Sequence, residues 1–243
     1  MNSSIKKSSA LFIFIILVLF FNQNCYAELN QKEINNLEKS CNDNNAASCF
    51  DLGSYYSSVK KNEKDLMKEI NFYKKSCEKG HSVGCYNVGS IYDNIYLHLD
   101  YPNLNWSKSK ENTLFYYTQA CDKGFSVGCT DLGNYYDSRD YFKSFEYYKK
   151  SCDLEDGQGC VGVGILYMTG NGIRIDKIMG IKSYKKACFL EDSIGCLRLG
   201  AVYEIGDGTT IDVNLALETY GKACDLKNQS GCELYASLKE KNK

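Results

Sequence analysis

Thiols dominate the chemistry this sequence could perform. Thirteen of its 243 residues are cysteine, against two histidines, one tryptophan and one proline. Twelve of them fall into six pairs with seven residues between partners: Cys41/Cys49, Cys77/Cys85, Cys121/Cys129, Cys152/Cys160, Cys188/Cys196 and Cys224/Cys232. Paired cysteines can hold a metal or form disulfides. A zinc site wants closer ligand spacings or histidines, and His81 and His98 are the only ones present. No metal and no cofactor are therefore expected. So many regularly spaced thiols suit a disulfide framework in an oxidising compartment.

The thirteenth cysteine, Cys25, lies at the N-terminus. Lys6 and Lys7 precede an apolar run from Leu11 to Phe21, then a polar stretch and Cys25-Tyr26-Ala27. Eleven apolar residues are too few to span roughly 30 Å of hydrocarbon. The pattern predicts a secretory signal cleaved after Ala27, which leaves an even number of cysteines and a secreted or periplasmic chain with no further membrane contact. A net charge of −1 argues against a nucleic-acid partner, and 44% hydrophobic residues suffice for a folded core.

The elements that position the cysteines repeat. First members of the pairs are separated by 36, 44, 31, 36 and 36 residues. Each second cysteine opens one helical pattern, A. In five of the six units Leu or Val, Gly and Tyr follow at offsets three, four and seven, as in Leu199, Gly200 and Tyr203 after Cys196; the last unit has Tyr235-Ala236 in place of Leu-Gly, as a terminal repeat can. These offsets share one helical face, and a recurring glycine there predicts close approach of a neighbouring helix. Each first cysteine closes a second pattern, B, with Ser or Ala immediately before it and, in all but the first unit, Tyr73, Tyr117, Tyr148, Tyr184 or Tyr220 four residues before it. Twelve residues before the cysteine stand Asp65, Ser109, Asp140, Asp176 and Asp212, read as N-caps of the B helices. The irregular spacings then fall entirely in the A-to-B loop. Where that loop reads Gly170-Asn171-Gly172 or Gly206-Asp207-Gly208, it follows a helix and lacks a phosphate-loop lysine, so a helix C-cap and turn are expected.

These motifs, L-G-x-x-Y, G-x-G-I-x-x-D and Y-x-K-A-C in a two-helix unit, resemble the Sel1-like repeat family, a relative of the tetratricopeptide arrays. With one cysteine pair per unit the chain is similar to the secreted bacterial cysteine-rich repeat proteins classed as β-lactamases. The resemblance covers about residues 36–240. It implies an enzyme that binds penicillin-type β-lactams and hydrolyses them weakly, or takes peptidoglycan-like fragments. A serine β-lactamase needs S-x-x-K with partner motifs. That spacing occurs at Ser57/Lys60, Ser107/Lys110 and Ser183/Lys186, all read as accidental in a chain without K-T-G or S-D-N, so no catalytic residue can be named. The alternative is a non-catalytic protein- or host-interaction scaffold.

The expected architecture is an all-α, right-handed solenoid of about six disulfide-linked helix pairs. A signal peptide occupies residues 1–27 and the array 28–243, with units near 36–64, 65–108, 109–139, 140–175, 176–211 and 212–243. The seven residues between paired cysteines form the B-to-A turn. Each cysteine should therefore bridge to its x7 neighbour, stitching one repeat to the next at roughly 2–3 kcal/mol per bridge. The enlarged second loop, 93–108, holds Trp106, Pro102, Tyr96, His98 and Tyr101. Tyr101 and Trp106 are the candidate ligand-binding residues, with coverage of their own repeat as the equal alternative.

Overall fold

A computed structural model describes residues 29–59 and 62–242. The signal segment 1–27, with Cys25, lies outside the described residues, as does Lys60. The fold is all-α: α1 Gln31–Asn42, α2 Ala46–Val59, α3 Glu63–Glu78, α4 Ser82–Asp93, α5 Ile95–Asp100, α6 Ser109–Asp122, α7 Ser126–Tyr136, α8 Tyr141–Asp153, α9 Gly157–Thr169, α10 Lys177–Phe189, α11 Ser193–Ile205, α12 Val213–Asp225 and α13 Gln229–Lys241. Among the described residues there is no strand, and no helix is long and apolar enough to cross a membrane. The helices alternate B, A, B, A along the chain, interrupted only by the inserted α5. The chain divides into two compact units, the first ending at Ser76 and the second running from Cys77.

The first unit contains α1, α2 and most of α3, around a core of Ile34, Cys41, Cys49, Leu52, Tyr56 and Phe72. The second is organised by the A helices. There α7 packs on α9, α9 on α11 and α11 on α13, while each B helix packs on the A helices flanking it in sequence. Its largest core cluster runs from Phe145 to Leu238 and includes Leu166, Tyr184, Leu199 and Tyr220.

The A-helix glycine has a specific neighbour. A Cβ built on Gly53, Gly89, Gly133, Gly164 or Gly200 would strike the ring of Tyr73, Tyr117, Tyr148, Tyr184 or Tyr220 respectively. Each ring belongs to the B helix that follows, and all five are buried. The tyrosine passes beneath its A helix through the gap that glycine leaves. Its hydroxyl emerges beyond, where Tyr73 donates to Ser54 (3.3 Å), Tyr148 to Asn134 (2.6 Å) and Tyr220 to Glu204 (2.7 Å). Burial chiefly, with Asp137 nearby, pushes the Tyr148 hydroxyl up to about 12, so it stays a donor at any physiological pH.

The B-to-A turn is equally repetitive. Disulfides join Cys41–Cys49, Cys77–Cys85, Cys121–Cys129, Cys152–Cys160, Cys188–Cys196 and Cys224–Cys232, with Cα atoms 4.4–4.7 Å apart. Such separations sit at the short end of the disulfide range. Small residues allow them: Gly128, Gly159, Gly195 and Gly231, each just before the second cysteine, press on Ala120, Ser151, Ala187 and Ala223, each just before the first. In the first unit two serines face each other instead, with Ser40 and Ser48 hydrogen-bonded at 2.8 Å. The third residue after each first cysteine is left-handed: Asn44, Gly80, Gly124, Glu155, Glu191 and Lys227 all have positive φ.

Two of the five expected B-helix caps are corrected. Asp140, Asp176 and Asp212 accept from the N–H groups of Lys143, Met179 and Leu215. Asp65 instead lies inside α3, and its own N–H donates to Asn62, so that helix begins earlier. Ser109 is the first residue of α6, and its hydroxyl donates to the Tyr92 carbonyl at 2.9 Å. The inserted loop draws that serine away from its cap position. Gly170 and Gly206 close α9 and α11 with φ of 78° and 73°, the left-handed C-cap that favours glycine.

Candidate functional site

The inserted segment after α4 folds back on its own repeat. Trp106 stacks on His98 with ring centres 4.3 Å apart, meets Tyr92 edge-on, and donates its Nε1–H to the Tyr101 carbonyl at 2.9 Å. His98 Nε2 lies 3.0 Å from the Tyr92 carbonyl and 2.9 Å from the Ser109 hydroxyl. A carbonyl oxygen only accepts, so Nε2 faces Tyr92 as a donor, and the Ser109 hydroxyl gives its own proton to the same carbonyl at 2.9 Å rather than to the ring. The His98–Ser109 pair is a clasp on the insertion rather than a nucleophile and base. Tyr101 and Trp106 are both half-buried. Replacing Trp106 by Ala is expected to cost about 1–2 kcal/mol, less than a fully buried ring. Its emission should be blue-shifted and protected from quencher; a red-shifted, freely quenched spectrum would contradict this placement.

Beside this clasp the array of A helices opens. A groove of about 510 Å³ lies between α4 and α7, with α6 as its floor. Its walls carry Tyr86, Asp93, Asp131 and Asn134, and Thr113 and Tyr117 stand beneath. A second depression of about 360 Å³ adjoins it, sharing Asp93 and Tyr135 and reaching His98 and Lys110. Neither Tyr101 nor Trp106 lines these spaces.

The larger groove is acidic. Asp93 and Asp131 face it, and no lysine, arginine or histidine lines it. Burial chiefly raises Asp131 above the ordinary carboxylate range; the hydrogen bond from the Tyr86 hydroxyl (3.1 Å) opposes that, and repulsion by Asp93 and Asp156 adds to it. Burial and the Asp131 charge likewise push the Tyr86 hydroxyl up to about 12. Asp156 is engaged by neutral donors, the Gly159 N–H and the hydroxyls of Ser126 and Thr130. Among the described residues these three carboxylates form no ion pair.

The Ser–Lys candidates do not come together as a reactive pair. The Ser183 hydroxyl donates to the Met179 carbonyl at 2.9 Å, and Lys186 Nζ donates to the Cys152 carbonyl at 2.6 Å. Lys110 lies over the Tyr135 ring, and Lys60 is outside the described residues. Sequence reasoning missed the groove and also the A-helix caps. Asn45, His81, Asp156, Asp192 and Asn228, each four residues before the second cysteine, accept from the N–H three residues on. A polar residue at that place in five of six units was the available signal.

Helix pairs at a near-constant period, joined by turns and presenting a layer of A helices, define an α/α repeat protein of the solenoid class. A family model for the Sel1 repeat matches residues 46–81, 107–125, 126–156, 157–188 and 193–228, more than half of the chain. The chain belongs to the Sel1 repeat family. No curated protein matches it. Among solved structures it is similar to c5321, described as a protective antigen present in uropathogenic Escherichia coli strains, at 23% identity and a TM-score of 0.69. That alignment covers 84% of this chain and 44% of c5321, so the chain spans less than half of that relative's length. It is also similar to a Sel1 repeat protein from Oxalobacter formigenes, at 19% identity and a TM-score of 0.65, covering 80% and 76% of the two chains. Cysteine rich protein B of Helicobacter pylori is 32% identical over 51% of this chain and 92% of its own, with a TM-score of 0.45. The first two likenesses establish the fold alone. The narrower β-lactamase class finds no support among these matches.

Proposed function

We propose that this chain is a non-catalytic protein-interaction scaffold, secreted or periplasmic, that holds a partner through the groove between α4 and α7. Sel1 repeats serve protein–protein interaction, and six disulfides, five of them buried, suit an oxidising compartment outside the cytosol. The observation that carries the reading is a groove with two carboxylates and no cation of its own. Negative charge that nothing in the groove neutralises favours a partner segment bringing Lys or Arg, and tyrosines along the walls offer rigid amphipathic contact.

The charge has a cost that the partner would relieve. Because Asp131 binds its proton more tightly in the fold than in the unfolded chain, its ionisation destabilises the free protein above its folded pKa. That cost fades as pH falls and is gone below the ordinary aspartate range. Asn at this position can still accept from Tyr86. D131N should therefore raise the melting temperature at neutral pH while weakening a lysine-rich peptide at least about tenfold, near 1.4 kcal/mol. Calorimetric titration of such a peptide against the wild type, D93N and D131N checks both. Equal affinity for all three would sink the reading.

The β-lactam reading rests on resemblance to cysteine-rich repeat proteins. It has no Ser–Lys geometry to support it, since Ser183 and Lys186 are each bonded to a different backbone carbonyl. Turnover of a chromogenic cephalosporin by oxidised protein, lost on replacing one named serine, would restore it.

A further inference from the structure

The A-helix tyrosine at offset seven from the cysteine is covered differently in successive repeats. In the first unit Phe72 stacks on Tyr56 with ring centres 5.5 Å apart, and Lys68 lies over the same ring. In the second unit Tyr116 stacks on Tyr92 at 6.3 Å and Tyr147 on Tyr136 at 5.7 Å, with Lys143 over Tyr136 as well. The stacking residue always stands five places before the B-helix cysteine, and the lysine nine places before it. In the repeat of α9 and α10 those positions hold Ser183 and Met179.

The ring that would cover Tyr167 is therefore missing. Phe145 makes a T-shaped contact with Tyr167 at 5.2 Å, not the parallel stack that Phe72, Tyr116 and Tyr147 make on their tyrosines, and Tyr167 lines the space beside it. A cleft of about 250 Å³ results between α8 and α10, floored by Phe145, Val163, Tyr167 and Met179. The Ser183 hydroxyl is turned onto its own helix and does not fill the space. In the next repeat Thr219 likewise replaces the aromatic residue, but Lys185 lies over Tyr203, which is buried.

The mouth is also unlike its counterparts. Lys149, Lys182 and Lys186 line it with a single acid, Asp153, which pairs with Lys149 at 3.0 Å. Six places before the B-helix cysteine, where α10 has Lys182, α8 has Glu146 and α12 has Glu218. Lys186 spends one donor on the Cys152 carbonyl and keeps two.

We propose that the cleft over Tyr167 is a binding site for a small aromatic carboxylate. Its ring stacks on Tyr167 in the place Tyr147 takes over Tyr136, and its carboxylate is held by Lys182 and Lys186. The volume admits one ring and its carboxylate rather than a drug-sized molecule, whose pockets begin near roughly 300 Å³. The same chemistry exists in a free N-acylated aromatic amino acid and at the end of a peptide chain finishing in Phe. The site lies apart from the acidic groove and does not depend on it.

Saturation-transfer NMR with the oxidised full chain tests this, using N-acetylphenylalaninate as the probe. The expected dissociation constant is on the order of 1 mM, typical of a ligand this small. The carboxamide analogue and N-acetylalaninate should each bind at least about tenfold more weakly. S183Y installs the ring that the preceding repeat carries, and should abolish binding with unchanged circular dichroism. K182E, an exposed change to the residue both sister helices hold, should weaken binding at least about tenfold. A tetrapeptide ending in Phe that binds at least as tightly as the free probe assigns the site to a chain terminus; weaker binding assigns it to the free carboxylate. Equal binding of acid and amide, or binding unaffected by S183Y and K182E, overturns the proposal.

Discussion

Reduction of the six disulfides is expected to unfold the protein at room temperature, with loss of most helical circular dichroism. Each bridge closes a loop of about eight residues, which chain-entropy arithmetic places at roughly 2–3 kcal/mol. Six such contributions match or exceed the roughly 5–15 kcal/mol net stability of a typical domain. The effect should reach both compact units, since Cys41–Cys49 lies in the first and the other five bridges lie in the second. Replacing Cys188 and Cys196 together by Ala should cost about one such increment. Superimposable melts with and without reductant would mean that helix packing alone holds the repeats.

The second large effect separates two helical glycines, one at the recurring A-helix position and one in a B helix. Gly133→Ala in α7 places a methyl group into the Tyr148 ring, and should cost about 1–3 kcal/mol, the range for overpacking, even though alanine favours helix. Gly221→Ala in α12 is the control. Its Cβ would meet nothing nearer than Tyr235 at 3.6 Å, an ordinary contact, so the change should stabilise by up to about 1 kcal/mol. Urea melts of the two variants should shift in opposite directions. A shift of the same sign in both would contradict the passage of the B-helix tyrosine under its A helix.

The repeat was legible because it is written in residues with one physical role each. The offsets of Leu132, Gly133 and Tyr136 from Cys129, and of Tyr148 and Ser151 from Cys152, mark faces that every unit must bury. The all-α class and the helix pairs follow from them. That the glycine's partner is the tyrosine ring was not legible, since the two lie 15–28 residues apart and only packing joins them. Ser109 misled as a cap because the insertion turns its hydroxyl toward Tyr92 and His98. The acidic groove was hidden for a related reason. Asp93 and Asp131 lie in different repeats, and their proximity depends on the separation of α4 from α7. The inserted aromatics drew attention to themselves as ligand contacts, yet Trp106 spends its face on His98 and its N–H on Tyr101.

The scaffold account is tested most directly by mapping where a basic partner touches the protein. Backbone amide shifts recorded during titration with a lysine-rich peptide should move and saturate at Ser90, Asp93, Asp131 and Asn134, with little change on α10 and α12. Shifts confined to the B helices, or none at millimolar peptide, would contradict the claim that the groove between α4 and α7 is where this protein holds its partner.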